Sequence, residues 1–383
     1  MKLFLTGGTG FVGSAVLARI ARSTRYEKIY VLVRGTKKET PEQRVRELLA
    51  DIFGPNEVAG IVDCVVAVEG DLTKHGLGMA RDVADRLAGE VNEILHVGAS
   101  TDFGAPLLES RQYNVEGTQR VLDFAKQCQT SGKLRRFDYV STAFVAGIKS
   151  GTVNEHTLER RQKFANNYEQ TKYEAEILVR EHAKKMPITI HRPSIVVGDS
   201  RNGYTPHFKV LYWPLKLLSK NVLPLIPAKK RAFLDVVPID YVADAMVAIM
   251  SDDGTIGKTY HITAGLGNEL RLGTLLKDGV EFAKLPKVPV IPMLIFDFIR
   301  FTPLRFLLSK DFWEASNLAS PYYHYLRGTG VRFNAEETQK FLAAKGIHPR
   351  KWNDYRAKLL RFCIESGWGR RLKGAPHEYF FPV

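Results

Sequence analysis

Tyr168 and Lys172 stand four residues apart in NNYEQTKYEAE, the stretch from Asn166 to Glu176. On a helix this spacing puts both side chains on one face. A free phenol ionises near ~10, too high for easy proton exchange at neutral pH. An ammonium one turn away stabilises the phenolate and draws that value down. Tyr168 is therefore a candidate general acid or base, against the bland alternative of a solvated surface helix. Tyr173, with Ile177 four residues on, is expected to pack. A reacting carbonyl would need a further donor. FDYVSTAFVAG, residues 137–147, places Ser141 and Thr142 at the end of an expected strand, and hydroxyls at the carboxyl end of a parallel strand point into the ligand crevice. Thr142 is the expected carbonyl contact and Ser141 the second choice, unless each merely satisfies a strand-end backbone group. Asn114 is a candidate for fixing Lys172 through water or a backbone contact.

These side chains need a cofactor beside them, and the amino terminus offers a place for one. LFLTGGTGFVGSAVLARI puts Gly7, Gly10 and Gly13 directly after a strand and at the mouth of a helix. One glycine serves the tight turn, one the close approach of a pyrophosphate, one the packing of helix on sheet. The helix terminus adds free N–H groups and the positive end of a dipole. The turn Gly7, Thr9, Gly10, Phe11, Val12 and Gly13 is thus the expected cradle of a nicotinamide dinucleotide. The second strand runs into Arg34, followed by Lys37 and Lys38, where NAD-selective sites carry an acid. An arginine there suits a 2′-phosphate, so NADP(H) is expected over NAD(H). Asp71, with Leu72 beside it, follows the third strand and is placed to meet the adenine. Gly98 follows the fourth strand and lets the cofactor lie on backbone. Pro193 is expected to contact the cofactor, and Lys172 to hold the nicotinamide ribose. His96 is expected to be a packed strand-end residue.

The positioning elements read as alternating strands and helices. Strands are expected at Leu3–Thr6, Ile29–Val33, Cys64–Val68, Ile94–Val97, Phe137–Val140 and Ile188–His191. Helices are expected at Phe11–Arg22, Pro41–Ile52, Tyr113–Gln129 and Asn166–Lys185. Such alternation defines an α/β fold, a Rossmann-type doubly wound parallel sheet. Residues 1–200, rejoined by about 233–263, form the expected cofactor domain. Residues 201–232 and 264–383 form a smaller, mainly helical substrate domain. The chain has 383 residues, 45% hydrophobic and 25% charged, enough for two such units. Three distant cysteines argue against disulfides or a zinc site and for a reducing compartment, so a cytoplasmic location and no metal are expected. The net charge of +14 is concentrated toward the carboxyl end, which steers anionic partners. No zinc-finger or RNA-binding motif accompanies it, so nucleic acid is not expected. The apolar run Val288–Leu308 is broken by charges and prolines. It could line an acyl channel or rest on a membrane surface.

TGGTGFVG, the Ser-Thr pair, YEQTK and HRPSIVVG together resemble the extended short-chain dehydrogenase/reductase superfamily. KIYVLVRGTKKETPEQRVRELL, GDLTKHGLGM and LDVVPIDYVADAMVAI narrow the resemblance to thioester reductases and fatty acyl-CoA reductases. It covers about Met1 to Thr263. It implies an acyl thioester substrate, on CoA or on an acidic carrier protein, reduced by NADPH to an aldehyde and, if the aldehyde stays bound, to an alcohol. Thr142 and Tyr168 would bind the carbonyl oxygen, with Lys172 holding the phenol acidic. Phe103, Phe208 and Trp213 are candidates for the acyl pocket. The competing reading inside the superfamily is a ketone, hydroxy-lipid or sterol-like dehydrogenase. A cofactor-sensing regulator is disfavoured because the Tyr-Lys pair and Ser-Thr all stand.

Overall fold

The computed structural model describes residues 1–370 apart from 160–161, 207, 209–210, 220–223, 285–287, 319 and 329. The Trp213 side chain also lies outside the described residues. Seven strands form one sheet: β1 (Lys2–Thr6), β2 (Lys28–Val33), β3 (Val65–Glu69), β4 (Glu93–His96), β5 (Arg136–Val140), β6 (Ile188–Pro193) and β7 (Thr259–Ile262). Their order is β7-β6-β5-β4-β1-β2-β3, with every neighbouring pair parallel. The order reverses between β1 and β4, which opens a crevice at their carboxyl ends, where ligands of such sheets bind.

Both faces are covered, which is why the strands read as continuous apolar runs rather than alternating ones. One face buries Leu5, Val31 and Ile262 beneath α1 (Phe11–Ile20), α2 (Pro41–Val62) and a later helix, Ile239–Met250. The other buries Phe4, Ile94, Phe137 and Ile190 beneath α3 (Arg81–Ala88), α4 (Gly117–Thr130) and α5 (Asn167–His182). The Ile239–Met250 helix is α6. Thr40 and Gln43 cap α2 reciprocally, and Pro41 fits its first turn. The helix breaks at Gly54, at φ 71, close to the expected end at Ile52, and a second helical stretch carries on from there to Val62. The start expected for α4 at Tyr113 is instead a π-helical turn, Gln112–Glu116.

A second apolar core gathers Leu215, Leu234, Leu272, Phe296, Tyr355 and Leu359 from the later part of the chain. Phe208 belongs to it, in ring contact with Tyr212, Phe362 and Trp368. Two parallel strand pairs tie the later chain to the earlier: Val236–Pro238 on Ile195–Val197, and Val331–Phe333 on Gly151–Val153. Within 288–308, helix α7 (Met293–Phe301) turns Met293 and Phe296 into the second core. Leu294, Phe298 and Phe301 point outward, as do Leu304, Phe306 and Leu307 in the 3-10 turn that follows. The outward half of the segment therefore does not line a channel. Further on, helix α8 (Glu336–Ala343) returns to the sheet and buries Leu342 in the first core. Among the described residues no helix is long and apolar enough to cross a membrane.

Candidate active site

At the switch point the backbone itself dictates glycine. Gly7 has φ 73, and a Cβ there would stand 2.6 Å from the Gly98 amide nitrogen. A Cβ on Gly13 would stand 2.1 Å from the Gly7 carbonyl oxygen, so α1 is pressed against the turn that precedes it. Gly98 in turn faces Leu72, whose Cδ1 a Cβ would meet at 2.7 Å. Gly7, Gly13, Leu72 and Gly98, expected around one cofactor, are thus brought together from the ends of β1, β3 and β4. Gly10 is the N-cap of α1, and no side chain caps it. The first N–H groups, on Phe11, Val12 and Gly13, have no carbonyl one turn back within the helix. Thr9 beside them is exposed. A pyrophosphate fits this donor set and this glycine-floored approach.

Arg34 and Lys37 lie exposed past the end of β2. The Arg34 guanidinium donates to the Tyr113 hydroxyl at 3.1 Å and lies over that ring at 5.6 Å. Asp71 accepts from the Thr73 amide and hydroxyl, each at 2.8 Å. Burial would raise its carboxyl, but the Thr73 bonds and the Arg34 charge outweigh burial and hold it below the usual value.

Helix α5 begins at its cap residue Asn166, whose side chain accepts from the Glu169 amide at 2.9 Å, while the Glu169 carboxylate accepts from the preceding Ala165 amide at 3.1 Å. From there Tyr168, Lys172 and Glu176 follow at helical spacing along one face. The Tyr168 ring stacks on Phe103 at 5.4 Å, and the Thr142 hydroxyl lies near enough to bias its phenol. Burial pushes this phenol up, the Glu169 charge adds to the rise, and only the nearby Thr142 hydroxyl opposes it. The expectation that Lys172 draws the phenol down is therefore corrected. The Lys172 ammonium instead donates to the Val140 carbonyl at 2.8 Å and lies 4.3 Å from the centre of the Tyr139 ring. Burial lowers its own pKa to about 7, against the opposing charge of Glu176.

Ser141 turns away from the crevice. Its hydroxyl donates to Glu176 at 2.6 Å, so the expected second carbonyl contact is already committed. Glu176 also binds Arg192 through two bonds, at 3.0 and 2.6 Å, and Arg180 at 2.8 Å. Burial alone would raise this carboxyl, but Arg192, Arg180 and Ser141 hold it at about 2. Sequence reasoning missed Glu176 and Arg192. The signal was available: Glu176 lies four residues past Lys172, and Arg192 lies in the quoted HRPSIVVG. Thr142 also donates to the Pro193 carbonyl at 3.3 Å, which places Pro193 at the site's edge.

Asn114 does not reach Lys172 by any direct bond. It holds the Ser100 backbone at 2.7 and 3.1 Å and the Thr171 hydroxyl at 2.9 Å, because the π-turn points it between these elements. His96 is a packed strand-end residue, bonded to Thr6 and Thr118 at 2.7 and 3.0 Å. Burial, with the Lys172 charge, lowers its pKa to about 3. Tyr325, from the later chain, donates to Glu169 at 2.7 Å, and burial raises that carboxyl to about 7. Tyr325 and Tyr322 also pack against Phe103. The two tyrosines, with Ile195, Leu211, Leu234 and Leu272, line a small apolar pocket. Phe103 thus separates the Tyr168 ring from the tyrosine wall of an apolar space.

The parallel sheet, the glycine turn at its switch point and the Thr142–Tyr168–Lys172 grouping define an extended short-chain dehydrogenase/reductase fold. The chain belongs to the Male sterility protein family, whose model matches residues 5–246. It is 30% identical over 279 residues to the non-canonical nonribosomal peptide synthetase FrzA of Cladobotryum sp, covering 68% of this chain and 26% of that protein. It is 29% identical over 315 residues to the fatty acyl-CoA reductase wat of Drosophila melanogaster, covering 73% of this chain and 60% of that protein. The match thus spans less than two thirds of either relative. Among solved structures, the terminal R domain from the myxalamid PKS-NRPS biosynthetic pathway superposes with a TM-score of 0.79. The identity is 26%, over 96% of this chain and 91% of that one.

Proposed function

We propose that the protein is an NADPH-dependent reductase of acyl thioesters, carried on CoA or on an acidic carrier protein, that yields an aldehyde and, where the aldehyde is retained, an alcohol. One observation carries the reading: Thr142, just past the carboxyl end of β5, lies beside the Tyr168 phenol, whose ring stacks on Phe103 next to a small apolar pocket. The likeness to a fatty acyl-CoA reductase and to a synthetase reductase domain supports the thioester. The glycine turn would hold the dinucleotide's pyrophosphate, and Arg34 with Lys37 would meet a 2′-phosphate, the feature that favours NADPH over NADH. The sheet unit takes the cofactor and the second core takes the acyl group.

Bound there, the reduced nicotinamide supplies hydride. The chain's own residues do the rest. Thr142 and Tyr168 donate to the thioester oxygen as negative charge builds on it, a contact that strengthens toward the transition state. Tyr168 gives up its proton to that oxygen. Lys172, anchored on the Val140 carbonyl, retains further N–H donors for ribose hydroxyls. The hemithioacetal then collapses: its O–H proton returns to Tyr168, the C–S bond breaks, and the thiolate leaves and takes a proton.

The test follows NADPH absorbance and thiol release across a ladder of acyl-CoAs, with Tyr168→Phe in parallel. Thiol release matched to NADPH loss and abolished in the variant supports thioester reduction, and two NADPH per thiol marks the alcohol. Turnover of ketones or alcohols alone moves the protein to the carbonyl-dehydrogenase reading.

A further inference from the structure

The outer face of α7 and the turn behind it is a large apolar surface that the fold leaves uncovered. Of the eleven large hydrophobic side chains exposed among the described residues, seven lie between Leu294 and Leu307. Leu294, Phe298 and Phe301 are 81%, 62% and 80% exposed, and Phe306 and Leu307 are 76% and 79% exposed. The first three recur at i, i+4 and i+7, one stripe of a helix. The opposite stripe, Met293 and Phe296, is already spent on the second core, where Phe296 meets Phe312, Trp313 and Tyr323. A helix apolar on both sides is normally buried on both sides, and contiguous apolar exposure on this scale marks an interaction surface.

The charges within the patch select the partner. From Phe298 to Lys310 the chain carries Arg300, Arg305 and Lys310 and no acid. Arg300 lies over the Phe301 ring at 5.8 Å and Arg305 over the Phe306 ring at 4.8 Å. Neither arginine forms an ion pair among the described residues. The nearest preceding acid, Asp297, is held by Arg327 at 2.7 Å. Of the acids that follow, Glu314 pairs with Lys310 at 3.6 Å. A second copy packed across a two-fold axis would bring this patch onto itself and set arginine near arginine. A surface of anionic headgroups above an acyl layer satisfies both halves: the rings and leucines enter the acyl boundary while the guanidinium groups stay at headgroup level. A nine-residue helix cannot span a bilayer, but it can lie in the interface.

We infer that the face formed by Leu294, Phe298, Phe301, Phe306 and Leu307, with Arg300 and Arg305, docks the protein on the surface of an anionic lipid bilayer. The docking depends on neither the thioester reading nor the catalytic residues.

The test is flotation of the full chain with phosphatidylcholine vesicles, with and without phosphatidylserine. Binding is expected to phosphatidylserine vesicles, weaker without the anionic lipid, and reversed by salt. Phe298→Ser with Phe301→Ser is expected to reduce binding by at least about tenfold. Arg300→Gln with Arg305→Gln is expected to remove the preference for phosphatidylserine. All four positions lie outside the catalytic site, so thermal unfolding and turnover of a water-soluble short-chain thioester serve as folding controls. Absence of flotation with both vesicle types overturns the inference. So does a wild-type dimer in sizing that the phenylalanine pair dissociates, which would assign the face to a second copy.

Discussion

Ser141 and Thr142 are adjacent in the chain, yet their hydroxyls serve different parts of the molecule. Ser141 donates inward to Glu176 at 2.6 Å, whereas Thr142 donates to the Pro193 carbonyl at 3.3 Å and its hydroxyl biases the Tyr168 phenol. Alternate side chains of a strand face opposite sides, and the chain leaves β5 at Val140 with this alternation intact. A strand-end Ser-Thr pair is thus one catalytic candidate and one structural anchor.

Removing each hydroxyl should separate the two roles. Thr142→Val is expected to lower kcat by about 10²–10³, the cost of losing one oxyanion donor, with a modest stability cost from its long bonds to Pro193 and Phe144. Ser141→Ala is expected to leave kcat within a few fold but to cost about 1–3 kcal/mol of stability, because Glu176 loses a buried donor. Steady-state kinetics and urea unfolding of both variants check the assignment. Equal kinetic losses would refute it.

Tyr168→Phe keeps the ring that stacks on Phe103 and loses only the proton donor. A drop in turnover of about 10²–10⁴ is expected. Cofactor affinity, followed by fluorescence quenching, should hold within a few fold.

Arg34 is the residue proposed to read the cofactor's 2′-phosphate. Arg34→Ala is expected to raise KM for NADPH by roughly ten- to a hundredfold, the loss of a hydrogen bond to a charged group. KM for NADH should barely move. Parallel kinetics with the two cofactors decide it, and a rise shared by both would sink the 2′-phosphate assignment.

Glu176 links stability to pH. Its carboxyl is held at about 2, below the ordinary 4.5, so the folded state favours the charged form. Its contribution is fully present above about pH 4.5 and is lost as pH falls toward about 2. Glu176→Gln leaves Arg192 buried without its carboxylate and is expected to cost about 3–5 kcal/mol at neutral pH. The difference between wild type and variant should shrink across the acid window, as read from urea midpoints at a series of pH values.

Much of the sheet is legible in the sequence because its signals are local. Apolar runs bounded by glycines placed β1 to β6 within a residue or two, and the final patch Lys258–Thr263 became β7. The spacing of Tyr168 and Lys172 put both on one face of α5 as expected. What the sequence hid depends on contacts made across long separations. Nothing local shows that Tyr325 reaches Glu169 from 156 residues away, or that burial rather than Lys172 governs the Tyr168 phenol. The direct partners of Asn114 were hidden for a similar reason: a π-turn, invisible in the apolar periodicity, points it at Ser100 and Thr171. The run 288–308 shows its apolar character plainly. Which half faces water is set by Phe312, Trp313 and Tyr323, which lie well beyond it.

The return of α8 to the first core, with Val331–Phe333 laid beside Gly151–Val153, has a consequence for a protein cut once. A proteolytic nick in the loop after Ile262 would sever the covalent path between the sheet and the later chain, yet it would free neither fragment. The carboxyl-terminal piece would remain clasped by Leu342 and by the short strand pair. The nicked protein should run as two bands under denaturing electrophoresis and as a single species in native sizing. Split at that loop, the two pieces would make a natural pair for fragment complementation.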